Sequence, residues 1–401
     1  MSVLRTEIGE RGLRCGVGAW PSEAACRCAI VVLAIVACSR QPRPGAGSSA
    51  YQTPESASSV TPRSATPRVV LPELERDRLA YLFEAAALVA HDWPLLAADD
   101  TCILLVDSTE QWVVNCQQAP AHFKPTGQQF RARPVFVHAG DTFEVAGQAR
   151  TTRQLLAQTP AAAHVVAPGT RDTALPGEHP WLVLGTLESL RAFHPAFGPA
   201  TTESWLSVAM HEFVHIHQLR QPAFAPYLRS IDAHTLDPAA LTNLYTSDAQ
   251  FRASIEREYQ QLTAAARTAI TPKQALLALR RWLRSYRPRC KQVLARETGR
   301  ALLEAERVFT YLEGVSRFVE SDFLANGAQH PAAGLAGDPQ FHDFEAFMGR
   351  GYSASPNRQL DDQYYYAIGY HLCVLLERVD PSWKQRVHAE PGWLLGLIEH
   401  L

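Results

Sequence analysis

The most specific chemistry in this 401-residue chain lies at residues 205–218, WLSVAMHEFVHIHQ. On a helix, residues four apart share a face, so His211 and His215 can turn both imidazoles toward one metal ion. Glu212 sits beside them as a potential base. The helix expected here is apolar nearly all round (Trp205, Leu206, Val208, Phe213, Val214, Ile216, Leu219), which predicts that it is buried. Burying two imidazoles and a carboxylate is costly unless something compensates them, and a divalent cation does so. The plainer alternative is a pair of core histidines with Glu212 in a salt bridge. His217, two residues past His215, falls on nearly the opposite face and is not counted as a ligand.

An open catalytic zinc site needs a third protein ligand. The metzincin completion requires Gly and His at fixed places after the second His, and those places hold Gln218 and Gln221. No Glu occurs between Ile216 and Ser254, which removes a nearby carboxylate; His234, with Asp232 close by, is the local substitute. A more distant candidate is the segment 311–320, YLEGVSRFVE, where Glu313 and Glu320 lie seven apart on one helical face. Read blandly, these are two surface carboxylates.

With these residues the chain resembles the gluzincins, in particular the aminopeptidase-type family that also contains leukotriene hydrolases. That resemblance implies a zincin-like metallopeptidase with one zinc ion. Its Glu-Gly pair assigns Glu313 as third ligand, and the second Glu, Glu320, as a supporting carboxylate that fixes a His tautomer and orientation. The segment 363–370, QYYYAIGY, resembles the family's Tyr-x-x-Gly and selects Tyr366, whose hydroxyl stabilises the tetrahedral intermediate; simple aromatic packing is the alternative, and Tyr365 and Tyr370 are its neighbours. The implied reaction is cleavage of a peptide or protein substrate by a metal-activated water, with Glu212 as general base. The likeness is confined to the three motif helices. A long helical insertion, residues 241–300, separates the two zinc motifs, and the Gly-x-Met-Glu-Asn segment that recognises a free amine is absent upstream of His211. Aminopeptidase specificity is therefore unsupported. A non-catalytic envelope lipoprotein that uses a peptidase-like fold for binding or structure is the competing class.

The composition, 46% apolar and 19% charged with a formal net charge of −2, is that of a globular protein with ample core. It argues against nucleic-acid binding, which needs a basic face; the Arg-rich run at 280–287 reads as the solvated face of an amphipathic helix. Residues 1–38 read as a lipoprotein signal peptide. Arg27 precedes a short apolar run, 29–37, that ends in Ile35-Val-Ala-Cys38, which resembles a bacterial lipobox and so implies Cys38 as the lipidation site and membrane anchor; an ordinary signal peptide with an incidental Cys38 is the alternative. Ser39 after it points to the outer membrane of a bacterial envelope, facing the periplasm. Residues 39–70, rich in Pro and Ser, read as a disordered tether.

The folded part, 71–401, is expected to be α+β: a β-rich stretch over 71–190 with a mixed sheet, then a mostly helical stretch over 191–401. After export, Cys102, Cys116, Cys290 and Cys373 remain. Cys102 and Cys116 bracket two β-rich runs around Ser108 and Thr109, symmetric about the turn, and are expected to form a disulfide. Cys290 and Cys373 can pair only if the fold brings their helices together. Short strands are predicted at 133–138, 142–145, 163–166 and 180–187, and the resemblance to zinc peptidases implies that the last is the edge along which a peptide aligns. Helices are predicted over 72–90, 249–268, 273–285, 290–324 and 364–378. The Gly- and Pro-bearing interruption at 326–362 is read as the rim of a cleft.

Overall fold

The two apolar runs either side of Ser108 and Thr109 do pair. In the computed structural model, β1 (Ile103–Val106) and β2 (Glu110–Val114) form an antiparallel hairpin with Ile103 opposite Val114. This register is one residue short of the symmetric one that would set Cys102 across from Cys116. Asn115 takes up the difference. Its backbone is left-handed (φ 61°), a conformation asparagine tolerates better than most residues, and its Nδ2 donates to the Thr101 carbonyl at 2.9 Å. The chain thereby brings Cys116 back to Cys102, with Cα atoms 5.0 Å apart, and the two are joined in a disulfide.

The structure describes residues 69–97, 100–139, 142–145, 148–151, 163–166, 180–193, 201–231, 238–330, 333–349, 362–390 and 392–401. The leader, Cys38, most of the tether and His234 lie outside them. Beyond the hairpin, β3 (Lys124–Phe130), β4 (Arg133–Ala139), β7 (Ala163–Val166) and β8 (Trp181–Gly185) complete a six-stranded mixed sheet in the order β3-β4-β2-β1-β8-β7. A separate hairpin joins β5 (Thr142–Val145) to β6 (Gln148–Thr151). β8 runs parallel to β1 and antiparallel to β7. The strand expected at the peptide-aligning edge is therefore interior, and among the described residues β7 is the edge on that side. The sequence of β8, WLVLG, already carries the reason: all five residues are buried, as a strand covered on both faces requires.

The rest is helical: α1 (Glu73–Val89), α2 (Leu187–Phe193), α3 (Thr202–Leu219), α4 (Phe224–Ser230), α5 (Pro238–Ser247), α6 (Ala249–Thr268), α7 (Pro272–Leu294), α8 (Gly299–Gln329), α9 (Phe344–Gly349), α10 (Asp362–Val379), α11 (Trp383–Arg386) and α12 (Trp393–Glu399). The α+β expectation holds. Among the described residues no helix is long and apolar enough to cross a membrane. The helices expected at 273–285 and 290–324 divide differently. α7 runs through Pro288, which faces solvent, and the break comes at 295–298. Gly299 opens α8 because the end of α7 lies against it: a Cβ there would sit 1.8 Å from the Val293 carbonyl oxygen.

The helical insertion shares the main core. Arg289 on α7, fully buried, donates to Glu258 on α6 at 2.9 Å and to Glu306 on α8 at 2.6 Å. The other face of α7 is solvated, with Arg281 and Arg284 exposed and Arg280 and Arg287 donating to the carbonyls of Leu401 and Glu399. Cys290 and Cys373 stay unpaired.

α3 lies between the β7–β8 side of the sheet and α8. Its start is held from several directions. A capping box links Thr201 and Ser204, and the Trp205 indole N–H donates to the Gly185 carbonyl at 2.8 Å. Glu203 accepts the backbone N–H groups of His342 and Asp343 at 2.5 and 2.6 Å. The Thr202 hydroxyl donates to Asp338 at 2.6 Å, and Asp338 also accepts two bonds from buried Arg78 at 2.8 and 3.1 Å. Residues 333–349, part of the stretch expected as a cleft rim, hold the start of the motif helix in place; residues 331–332 and 350–361 lie outside the described part.

α8 and α10 cross at two glycines. A Cβ on Gly314 would lie 2.3 Å from the Gly369 Cα, and one on Gly369 would lie 2.5 Å from the Gly314 Cα. Both belong to the motifs that carry the family resemblance, Glu-Gly and Tyr-x-x-Gly, and their shared role here is a close backbone approach. Gly314→Ala must push the helices apart. It is expected to destabilise by about 1–3 kcal/mol or more, read as a Tm lowered by several degrees in thermal unfolding; an unchanged Tm would mean the crossing is looser than described.

Candidate metal centre

His211 and His215 sit one turn apart on α3, both buried, with ring centroids 4.7 Å apart and planes nearly perpendicular. α8 crosses in front of them and supplies Glu313, Ser316 and Glu320 from one face, at i, i+3 and i+7. The Glu313 Oε2 lies 3.1 Å from the His211 Nε2 and 3.5 Å from the His215 Nε2. Two ligands held about 2.0–2.1 Å from a tetrahedral ion lie roughly 3.3 Å from each other, so these spacings suit three ligands of one ion. One ligand atom from each of His211, His215 and Glu313 falls within 4.8 Å of the others, close enough to hold a metal ion; among the described residues this is the one such group of three or more.

The far side of each ring is also engaged. The His211 Nδ1 faces the Glu320 Oε2 at 3.5 Å. Glu320 is itself held by Arg317 at 2.8 and 3.0 Å and by the Ser207 hydroxyl. The His215 Nδ1 meets the Gln218 Oε1 at 2.7 Å and the Ser316 Oγ at 3.2 Å. Both rings therefore present Nε2 to Glu313 while Nδ1 is held from behind, the arrangement by which supporting residues orient metal-binding imidazoles.

The electrostatics favour positive charge at this point. Burial alone would lower the pKa of His211, but hydrogen bonds and charge from Glu313 and Glu320 reverse that and push it up to about 10. Burial raises Glu313 as well, yet His215 and His211 bring it far below the ordinary carboxylate range. Glu320 is likewise raised by burial but carried down to about 2, first by Arg317 and then by His211. Glu313 and His211 thus hold each other charged, the carboxylate ionised and the imidazole protonated, which is the pairing a buried charge requires.

Glu212 follows His211 on α3 and is only partly buried by its own exposed area. Burial of its carboxyl raises its pKa, with His215 and His211 opposing. Tyr366, in the first turns of α10, stacks on His211 with centroids 5.1 Å apart and planes 18° apart. Of the three tyrosines considered from the sequence, it is the one that reaches the histidines: Tyr365 packs with Phe309 and Tyr364, and Tyr370 with Phe318 and His371. His217 points away, as its position on the helix predicts, and packs against Phe213; burial and then Arg220 lower its pKa to about 3.

The structure thus brings together His211, Glu212, His215, Glu313, Glu320 and Tyr366 from three helices. Sequence reasoning missed Ser207, Ser316 and Arg317 and used Gln218 only to exclude one completion. A signal existed: Ser207 is four before His211, Gln218 three after His215, and Arg317 three before Glu320, all positions on shared helical faces. Set against protein-family models, curated proteins and solved structures, the chain matches none of them.

Proposed function

We propose that this protein is a zinc-dependent hydrolase, a metallopeptidase of gluzincin type on a zincin-like fold. The observation that carries the reading is that both Nε2 atoms lie within 3.5 Å of one Glu313 Oε2, with both Nδ1 atoms engaged elsewhere. Two imidazoles and a single carboxylate suit zinc better than calcium or magnesium, which take mostly oxygen ligands. An intact Glu212 beside the ligands also favours catalysis over a purely structural site, which has no use for a base.

When bound, zinc lowers the pKa of a water and polarises the scissile carbonyl. Glu212 takes the proton of the attacking water and passes it to the leaving amine. The Tyr366 hydroxyl donates to the oxyanion that develops on the carbonyl. Among the described residues β7 is the sheet edge beside α3, the place where an extended peptide would add as a further strand. Glu320 holds the His211 ring in place throughout. By the same reading, Cys38 carries a lipid anchor and residues 39–70 tether the enzyme to the bacterial outer membrane on the periplasmic side.

A digest of mixed peptides by purified protein tests the activity directly. Cleavage is expected, and it should stop when a chelator is added and return with added zinc. A protein that binds zinc but cleaves no peptide under any of these conditions would favour the non-catalytic binding or structural module instead.

A further inference from the structure

Gln218 makes hydrogen bonds whose polarity leaves no choice. It is completely buried. Its amide nitrogen lies 3.0 Å from the Tyr311 carbonyl and 3.2 Å from the Leu312 carbonyl, and carbonyls only accept. The NH2 group must therefore face those two oxygens, which turns the Oε1 toward the His215 Nδ1 at 2.7 Å and the Ser316 hydroxyl at 3.3 Å. All four hydrogen-bonding capacities of the amide are used. A half-turn flip would set oxygen against two carbonyls. Because Oε1 only accepts, the His215 Nδ1 must carry the hydrogen, and its Nε2 is left to face the Glu313 carboxylate.

From this chain of donors and acceptors we infer that Gln218 is a positioning residue for the metal centre, fixing the tautomer of His215 and the height of α3 against α8. The inference rests on the proposed metal site. It assigns two jobs to one side chain. The first is to keep the His215 hydrogen on Nδ1, whereas a free imidazole in water favours Nε2–H, the form that cannot bind a metal through Nε2. The second is to grip the two carbonyls that immediately precede Glu313, so the second and third ligands are set by the same amide. His211 is served differently, by the Glu320 carboxylate. Gln218 occupies the place where a metzincin would carry glycine.

The test uses the full chain with 15N-labelled histidine, stripped of metal by a chelator, and reads which His215 nitrogen carries a hydrogen. The nitrogen shifts of His215 are expected to show the Nδ1–H tautomer. In Gln218→Met, which keeps the length of the side chain but removes its polar atoms, the ring should relax toward Nε2–H. Zinc affinity, measured by competition with a chelating dye, should weaken by about 10–100-fold. Gln218→Glu retains an acceptor for His215 but no donor for the carbonyls, so it should restore the Nδ1–H form without restoring full affinity. An Nε2–H ring in the unsubstituted protein would overturn the inference, and needs no variant to fold. So would a folded Gln218→Met protein with the original tautomer and the original affinity. If the unsubstituted protein binds no zinc at all, the metal reading fails, and the positioning role with it; a tautomer difference between the unsubstituted protein and Gln218→Met would then still report on the amide itself.

Discussion

Glu212→Gln is expected to reduce peptide cleavage by at least about 1,000-fold while leaving bound zinc unchanged. The substitution keeps the size of the side chain and removes the lone pair that takes the proton. Its neighbours on α3, His211 and His215, are positioned by Glu320, Gln218 and Ser316, and none of those contacts involves Glu212. The ligand set should therefore survive. The proton shuttle should not. Burial raises the carboxyl above its usual range, toward the pH at which a base both holds and releases a proton readily. Hydrolysis rates and metal analysis on the same preparation separate the two effects. Full activity in the Glu212→Gln protein would remove Glu212 from the reaction; loss of zinc along with activity would make it a ligand or a structural residue.

Glu313→Ala should act on the metal first. It deletes the proposed third ligand, the carboxylate that lies between the two rings, so zinc binding should weaken by more than about 100-fold, beyond the effect of losing a supporting residue. The chelated variant should also lose stability, by about 3–5 kcal/mol, because breaking a buried ionic cluster leaves charge without a partner. Glu320→Gln provides the internal comparison. Of the three proposed ligands it meets only His211, at the back of the ring, so its effect on affinity should stay within about 10–100-fold. Unchanged zinc stoichiometry after loss of Glu313 would move the third ligand elsewhere, with His234 the next candidate by sequence.

Much of this arrangement is legible in the residues themselves because helical periodicity is strict. His211 and His215 on one face, Glu313 and Glu320 on another, and Tyr366 three residues before Gly369 are all relations within single helices. What joins them is not legible in that way. The crossing of α8 and α10 depends on Gly314 meeting Gly369, two residues whose proximity no local pattern encodes. In sequence, Gln218 marks only the absence of a glycine, since its meaning depends on carbonyls far along the chain at Tyr311 and Leu312. The strand at 181–185 is taken as an edge from the zinc-peptidase resemblance, yet its uniform burial belongs to an interior strand. The disulfide is expected from a symmetric hairpin but forms through a register one residue off and a left-handed Asn115. The interruption after α8 reads as a loop because Asp338 gives no sign, in sequence, that it binds Arg78 and Thr202.

In the proposed centre, one ion is shared by side chains of α3 and α8. Crystals of the zinc-loaded protein, measured on both sides of the zinc absorption edge, test it most directly. A single anomalous peak is predicted within about 2.0–2.2 Å of the His211 Nε2, the His215 Nε2 and a Glu313 carboxylate oxygen. A peak that excludes Glu313, or no peak between the two histidines at full zinc occupancy in solution, would contradict the account.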